Sequence, residues 1–239
     1  RFSESDPVSS RPLAPRRPGV VHSARLRSQY DSGRFPVGSG GIRGNAMDPK
    51  EQFSQVTDLL SALVDGTDAG QLGDETPCSD FDVRDLIGHF TLGRFLFAAG
   101  LSGDKARGEE LIGGMPARLG DVLGDDHRAT YRNASTELDS AVDSVGDLEE
   151  VVSLIFGDMS AGVALQTISA DNLVHCWDLA RSTGQDFDPP VDLVEATTAF
   201  FSGFITDDSR AGGMFGPEVE VPDDASALDR LLGLCGRTP

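Results

Sequence analysis

Lysine is almost missing from this chain: Lys50 and Lys105 stand alone among 239 residues, the other 18 basic side chains being arginine. Cysteine is scarce as well. Cys78, Cys176 and Cys235 form no C-x-x-C and are odd in number, which argues against a disulfide framework, a dithiol redox site or a thiolate zinc site and fits a reducing cytoplasm. No long apolar run occurs. The longest, Phe95 to Leu101, spans seven residues, whereas a bilayer-crossing helix needs roughly 20. There is no G-x-S-x-G elbow and no G-x-x-x-x-G-K-[ST] phosphate loop, so serine-hydrolase and P-loop chemistry have no local support. These absences predict a soluble, cytoplasmic protein without a membrane partner.

Positive charge is short overall, with a net charge of −19. It is also unevenly spread. Residues 1–46 carry eight arginines against Glu4, Asp6 and Asp31, a balance of +5, and the remaining 193 residues carry 12 basic against 36 acidic side chains, a balance of −24. An acidic body repels phosphate backbones, so nucleic acid is excluded as an expected partner of the folded part. Residues 1–46 are rich in Arg, Ser, Pro and Gly without helical or strand period, and such a segment buries too little apolar surface to offset its ordering entropy. It reads as a disordered or non-native leader, with the folded domain over 47–239.

From Met47 onward the pattern is helical. Asp48-Pro49-Lys50-Glu51 supplies an N-cap, a proline at the first helical position and an early acid; Phe53, Val56, Leu59, Leu60 and Leu63 follow at helical spacing up to Gly66. A second helix is expected after a cap at Ser79 or Asp80, running through Val83, Leu86, Ile87, Phe90 and Phe97 to Gly100 or Gly103. A glycine-rich connector covers roughly 100–125, with a helical turn beginning near Met115. Further helices are predicted from Asp126 to Val145, Ser160 to Ser182 with a stop at Gly184, and Val191 to Thr206. Val151 to Phe156 reads as a short extended piece, as does the segment around Phe215 to Pro222, before a last helix capped by Asp223 or Asp224. Four long helices with variable loops and no βαβ alternation predict an all-α bundle.

One stripe breaks the apolar pattern. On the 160–182 helix it reads Ala164, Ile168, Asp171, His175, Leu179, so two ionisable groups occupy positions where a core residue is expected. A buried carboxylate is costly unless paired or bound to a cation. Asp171 and His175 are four residues apart and project from one helical face, within reach of a single metal ion. His89, on the flank of the second helix's stripe with Gly93 one turn on, is a candidate third ligand. Three ligands leave a coordination position open, the catalytic rather than the structural pattern. The competing reading is a plain Asp171–His175 hydrogen bond. Cys176 diverges from His175 by about 100° around the helix, so the two are not expected to form a nucleophile–base pair. His127, among Asp125, Asp126 and Arg128, is expected to be exposed. Trp177 and Asp178 are expected to serve packing and capping, with Trp177 also a candidate substrate wall.

Two stretches, Thr76-Pro77-Cys78-Ser79-Asp80-Phe81-Asp82-Val83-Arg84-Asp85-Leu86-Ile87-Gly88-His89 and His175-Cys176-Trp177-Asp178-Leu179-Ala180-Arg181-Ser182-Thr183-Gly184, resemble the DinB-like superfamily. The similarity is to its actinobacterial metal-binding branch, related to mycothiol-dependent maleylpyruvate isomerase; Phe215-Gly216-Pro217 and Val221-Pro222-Asp223-Asp224-Ala225 carry it into the tail. This resemblance implies a DinB-like four-helix bundle with extra C-terminal helices that binds one divalent metal, zinc being expected. It carries the family's first histidine onto His89, its last onto His175 and its acidic ligand onto Asp171, where the isomerase has glutamate. Mycothiol is implied as a co-substrate, with a small electrophile as its partner in S-transfer or isomerisation and a metal-bound thiol or water at the reacting position. A monomer or homodimer is expected. The alternative is a non-catalytic metal-binding or regulatory bundle, since only 33 residues follow the 191–206 helix and just Arg210, Arg230 and Arg237 there offer cations to a carboxylate substrate.

Overall fold

The computed structural model describes residues 47–78, 81–155, 157–211 and 213–239. The predicted leader, the proposed Ser79 or Asp80 cap and Phe156 lie outside the described residues. The fold is all-α, with α1 (Pro49–Gly66), α2 (Val83–Leu101), α4 (His127–Ser144) and α5 (Ala161–Thr183) as the four long helices. Helix α2 packs on α4, α1 packs on α5, and α2 also meets α5. After the bundle come α6 (Val191–Phe204), a short α7 (Asp207–Ala211) and α8 (Ala227–Leu234). Among the described residues, no helix is long and apolar enough to cross a membrane.

Local chemistry accounts for most boundaries. The Asp48 carboxylate accepts from the Lys50 and Glu51 amides at 2.9 and 3.2 Å, ahead of Pro49. Asp126 caps α4 through the Ala129 amide, and Ser160 caps α5 through the Val163 amide. Such caps satisfy amides that have no intrahelical partner. Gly184 ends α5 at φ +70°, a conformation that glycine adopts without the Cβ penalty. Two caps differ from expectation. Asp82, not Ser79 or Asp80, caps α2 by accepting from the Asp85 amide, and Ser226, not Asp223 or Asp224, caps α8 in a reciprocal box with Asp229. In each case the cap is the residue immediately before the helix, where its side chain reaches the amide three residues on.

The 100–125 connector is more ordered than its glycines suggested. It holds α3 (Lys105–Gly113), capped by Asp104, and a 3-10 turn over Leu119–Leu123, with no helical turn at Met115. Leu119 and Leu123 are buried against α2. The 151–160 stretch forms an antiparallel hairpin of β1 (Val151–Leu154) and β2 (Gly157–Ser160), pairing Val151 with Ser160 and Val152 with Met159. Its inward side chains Val152, Leu154 and Met159 join Phe53, Phe97, Leu138 and Leu165 in one apolar cluster. A separate cluster ties the tail to the bundle: Leu193, Val194 and Phe201 of α6 and Leu231 and Leu232 of α8 pack on Leu173 and Val174 of α5.

Close approach of the 3-10 turn to α2 depends on Gly88. A Cβ there would lie 2.3 Å from the Leu119 carbonyl oxygen and 2.7 Å from the Gly120 amide nitrogen. Neither is a flexible side-chain end, so helix or turn must move. Gly88→Ala is expected to destabilise by about 1–3 kcal/mol, as overpacking does, read as a lower urea midpoint. An unchanged midpoint would show that the turn yields freely.

Candidate metal centre

Helices α2 and α5 bring His89, Asp171 and His175 together. The Nε2 of His89 lies 3.1 Å from Oδ2 of Asp171, and the Nε2 of His175 lies 3.7 Å from Oδ1 of the same carboxylate. One ligand atom from each of the three residues falls within 4.8 Å of the others. The imidazole rings are 5.1 Å apart, centroid to centroid, and meet edge to face. Two donors each about 2.0–2.1 Å from zinc in tetrahedral geometry stand about 3.3 Å apart, so the two carboxylate–imidazole separations bracket what one ion requires. The donor set of two imidazoles and one carboxylate fits zinc and leaves a position open.

Exposure rises across the site. The His175 side chain is 11% exposed, His89 25% and Asp171 43%. Asp171 is therefore not the core carboxylate that its place in the stripe suggested; it is the most exposed of the three. Desolvation by its surroundings raises the Asp171 pKa. The charges of His89 and His175 when their rings are protonated, and the hydrogen bond from His89, outweigh this and hold the carboxyl at about 2. The group is thus ionised and ready to bind a cation at neutral pH. Aromatic rings wall the inner side: Phe81 is 5.6 Å from the His89 ring, and Phe90 is 6.0 Å from the His175 ring.

Beneath His175 lies a partner that sequence reasoning did not assign. The Nδ1–H of His175 donates to Oδ2 of Asp178 at 2.7 Å, and the Asp178 side chain is fully buried. Asp178 is thus no cap or simple packing residue. This hydrogen bond leaves the Nε2 lone pair of His175 facing Asp171, the carboxylate–histidine arrangement that orients metal-binding imidazoles. Arg237, in the last turn of the chain, donates from Nη2 to Asp178 Oδ2 at 2.9 Å. Desolvation raises the Asp178 pKa, but hydrogen bonds and charge from His175 and Arg237 carry it below the usual carboxylate value. The only signal in the sequence was the i,i+3 spacing of His175 and Asp178; nothing local linked either to Arg237.

The remaining candidates stand apart. Arg210 is engaged by the carbonyls of Gly216 and Leu234, and Arg230 by that of Ala225. Cys176 is buried, and desolvation drives its thiol far above the usual range, while Cys235 is pushed up to about 12 for the same reason. Both are inert thiols at neutral pH. His127 is buried rather than exposed, its Nε2–H donating to the Thr67 carbonyl at 3.2 Å. Its acidic sequence neighbours concealed a contact across the bundle. Trp177 is half-buried in the α5–α6–α8 cluster, with the Arg181 guanidinium 5.6 Å above its ring.

The model of the mycothiol maleylpyruvate isomerase N-terminal domain matches residues 53–180, a span that contains His89, Asp171, His175 and Asp178. Two Mycobacterium tuberculosis proteins, Uncharacterized protein MT0763 of strain CDC 1551 / Oshkosh and Uncharacterized protein Rv0738 of strain ATCC 25618 / H37Rv, are each 27% identical over 195 residues, covering 80% of this chain and 99% of their own length. Among solved structures, the mycothiol-dependent maleylpyruvate isomerase and a histidine-to-alanine mutant of it align at 17% and 16% identity with a TM-score of 0.47, covering 63% of this chain and 68% of theirs. The family match spans more than half of the 239 residues: the chain belongs to the mycothiol maleylpyruvate isomerase N-terminal domain family.

Proposed function

We propose that this protein binds one divalent cation, zinc, through His89, Asp171 and His175, and uses a low-molecular-weight thiol, mycothiol, to act on a small electrophile by S-transfer or isomerisation. The observation that carries the reading is the convergence of these three side chains from two helices around one point. Family membership supports the thiol, because the isomerase that gives the family its name is mycothiol-dependent. A cation held there supplies Lewis acidity toward a thiol at its open position. The protein's own residues do the rest. Asp178 fixes the His175 ring, Asp171 stays ionised, and Phe81 and Phe90 exclude water from the inner side.

The tail arginines bear on the substrate. Arg210 and Arg230 bind backbone carbonyls, and Arg237 binds Asp178, so none of the three stands ready to grip a carboxylate. This favours S-transfer to an uncharged electrophile over isomerisation of a dicarboxylate. The same observation favours the second reading, a bundle that binds metal without turnover.

Zinc titration and thiol-dependent turnover separate these readings. Protein purified without a histidine tag is expected to take up zinc in a 1:1 ratio, and His175→Ala is expected to lose more than the 10–100-fold in affinity typical of losing a supporting residue. A mycothiol-dependent rate on uncharged electrophiles, absent in His175→Ala, supports the enzyme. Zinc binding without any such rate leaves the binding module. Equal zinc in wild type and variant overturns both.

A further inference from the structure

The family match ends at residue 180, yet the buried partner of Asp178 comes from position 237. Arg237 grips that carboxylate as a fork, Nη2 to Oδ2 at 2.9 Å and Nε toward Oδ1 at 3.4 Å, and its third nitrogen, Nη1, donates to the Cys235 carbonyl at 2.9 Å. The Arg237 side chain is 14% exposed and that of Asp178 is fully buried. Position 237 is held in turn by fold: the Arg237 amide donates to the Leu232 carbonyl, Gly236 adopts φ +81°, and Leu231, Leu232 and Cys235 are buried against α5 and α6. An unbroken chain of contacts therefore runs from the tail backbone through Arg237 and Asp178 to Nδ1 of His175.

We propose that Arg237 is a positioning residue for the metal centre: by clamping both oxygens of Asp178, the C-terminal segment fixes the rotation and tautomer of His175 so that Nε2 faces Asp171 and His89. Deeper inside than the ligands, Asp178 could rotate about its last bond if His175 were its sole partner. A guanidinium fork removes that freedom, because planar bidentate pairing defines the carboxylate plane. The inference rests on the metal reading for its consequence, but its geometric content does not need a metal.

Both parts are measured on the full-length chain. In the metal-free protein, at a pH where its nitrogen-15 shifts show the ring to be neutral, His175 is expected to show a single Nδ1–H tautomer. Arg237→Gln is expected to show a tautomer mixture, with Arg237→Lys between the two. Zinc affinity, from chelator competition with zinc alone, is expected to fall about 10–100-fold in Arg237→Gln, the range for losing a supporting partner, and less in Arg237→Lys. If Arg237→Gln fails to fold, the lysine variant carries the same two readouts, since it keeps the charge and lacks the fork. Unchanged tautomer and unchanged zinc affinity in a folded variant overturn the proposal. If wild type binds no zinc, the metal reading falls alone and the NMR result decides this one.

Discussion

Zinc is expected to raise the melting temperature of the wild-type protein by roughly 8–16 °C over the same protein in chelator, at a zinc concentration about 1,000 times its Kd. A ligand that binds only the folded state at that excess adds about 4 kcal/mol, and a chain of this size gains about 2–4 °C for each kcal/mol. The folded state alone brings His89 and the Asp171–His175 pair together, because they lie 82 residues apart and on different helices. His89→Ala should therefore abolish the shift while leaving the chelator curve close to wild type, since His89 is a quarter exposed and lies at the rim of the core. Asp171→Asn should reduce the shift without unfolding, as its side chain is 43% exposed. Identical melting curves in zinc and chelator for wild type would refute the metal site.

Asp178→Asn is expected to cost about 3 kcal/mol at neutral pH, measured by urea unfolding. Removing one partner of a buried ion pair typically costs about 3–5 kcal/mol because the other charge is left uncompensated. The low end applies here because Arg237 keeps 14% of its side chain in solvent. The pH dependence has a definite sign. The Asp178 pKa is lower in the folded protein than its ordinary value, so its contribution is complete above the unfolded carboxylate range near 4 and is lost as pH falls through the folded value. The stability gap between wild type and Asp178→Asn should accordingly be full at pH 7 and shrink below about pH 4. A gap that stays constant into acid, or that is absent at neutral pH, would mean that the pair carries no net stabilisation.

Both expectations concern the same few ångströms of α5, yet their origins in the sequence differ. Asp171 and His175 were visible because a helix repeats every 3.6 residues, and polar groups on an apolar stripe break that period. His89 drew notice by its place on a second stripe. Its approach to Asp171 is a matter of how α2 meets α5. Exposure was not legible. Asp171 is half-exposed and His127 lies beneath a carbonyl 60 residues away, and neither fact follows from neighbours along the chain.

What the sequence determined by itself was the four long helices of the bundle. Caps at Asp48, Asp126 and Ser160, the stop at Gly184 and the apolar spacing between them all act within about four residues, so they survive in the order of letters. Tertiary structure alone decided that a tail arginine would reach Asp178, that three ligand atoms would share one centre, and which end of the site would face solvent. Those outcomes depend on helix crossing and on the route of α6 and α8 around α5. Contacts between residues 59 or 82 positions apart follow from the packing of whole faces and leave no period of their own in the chain.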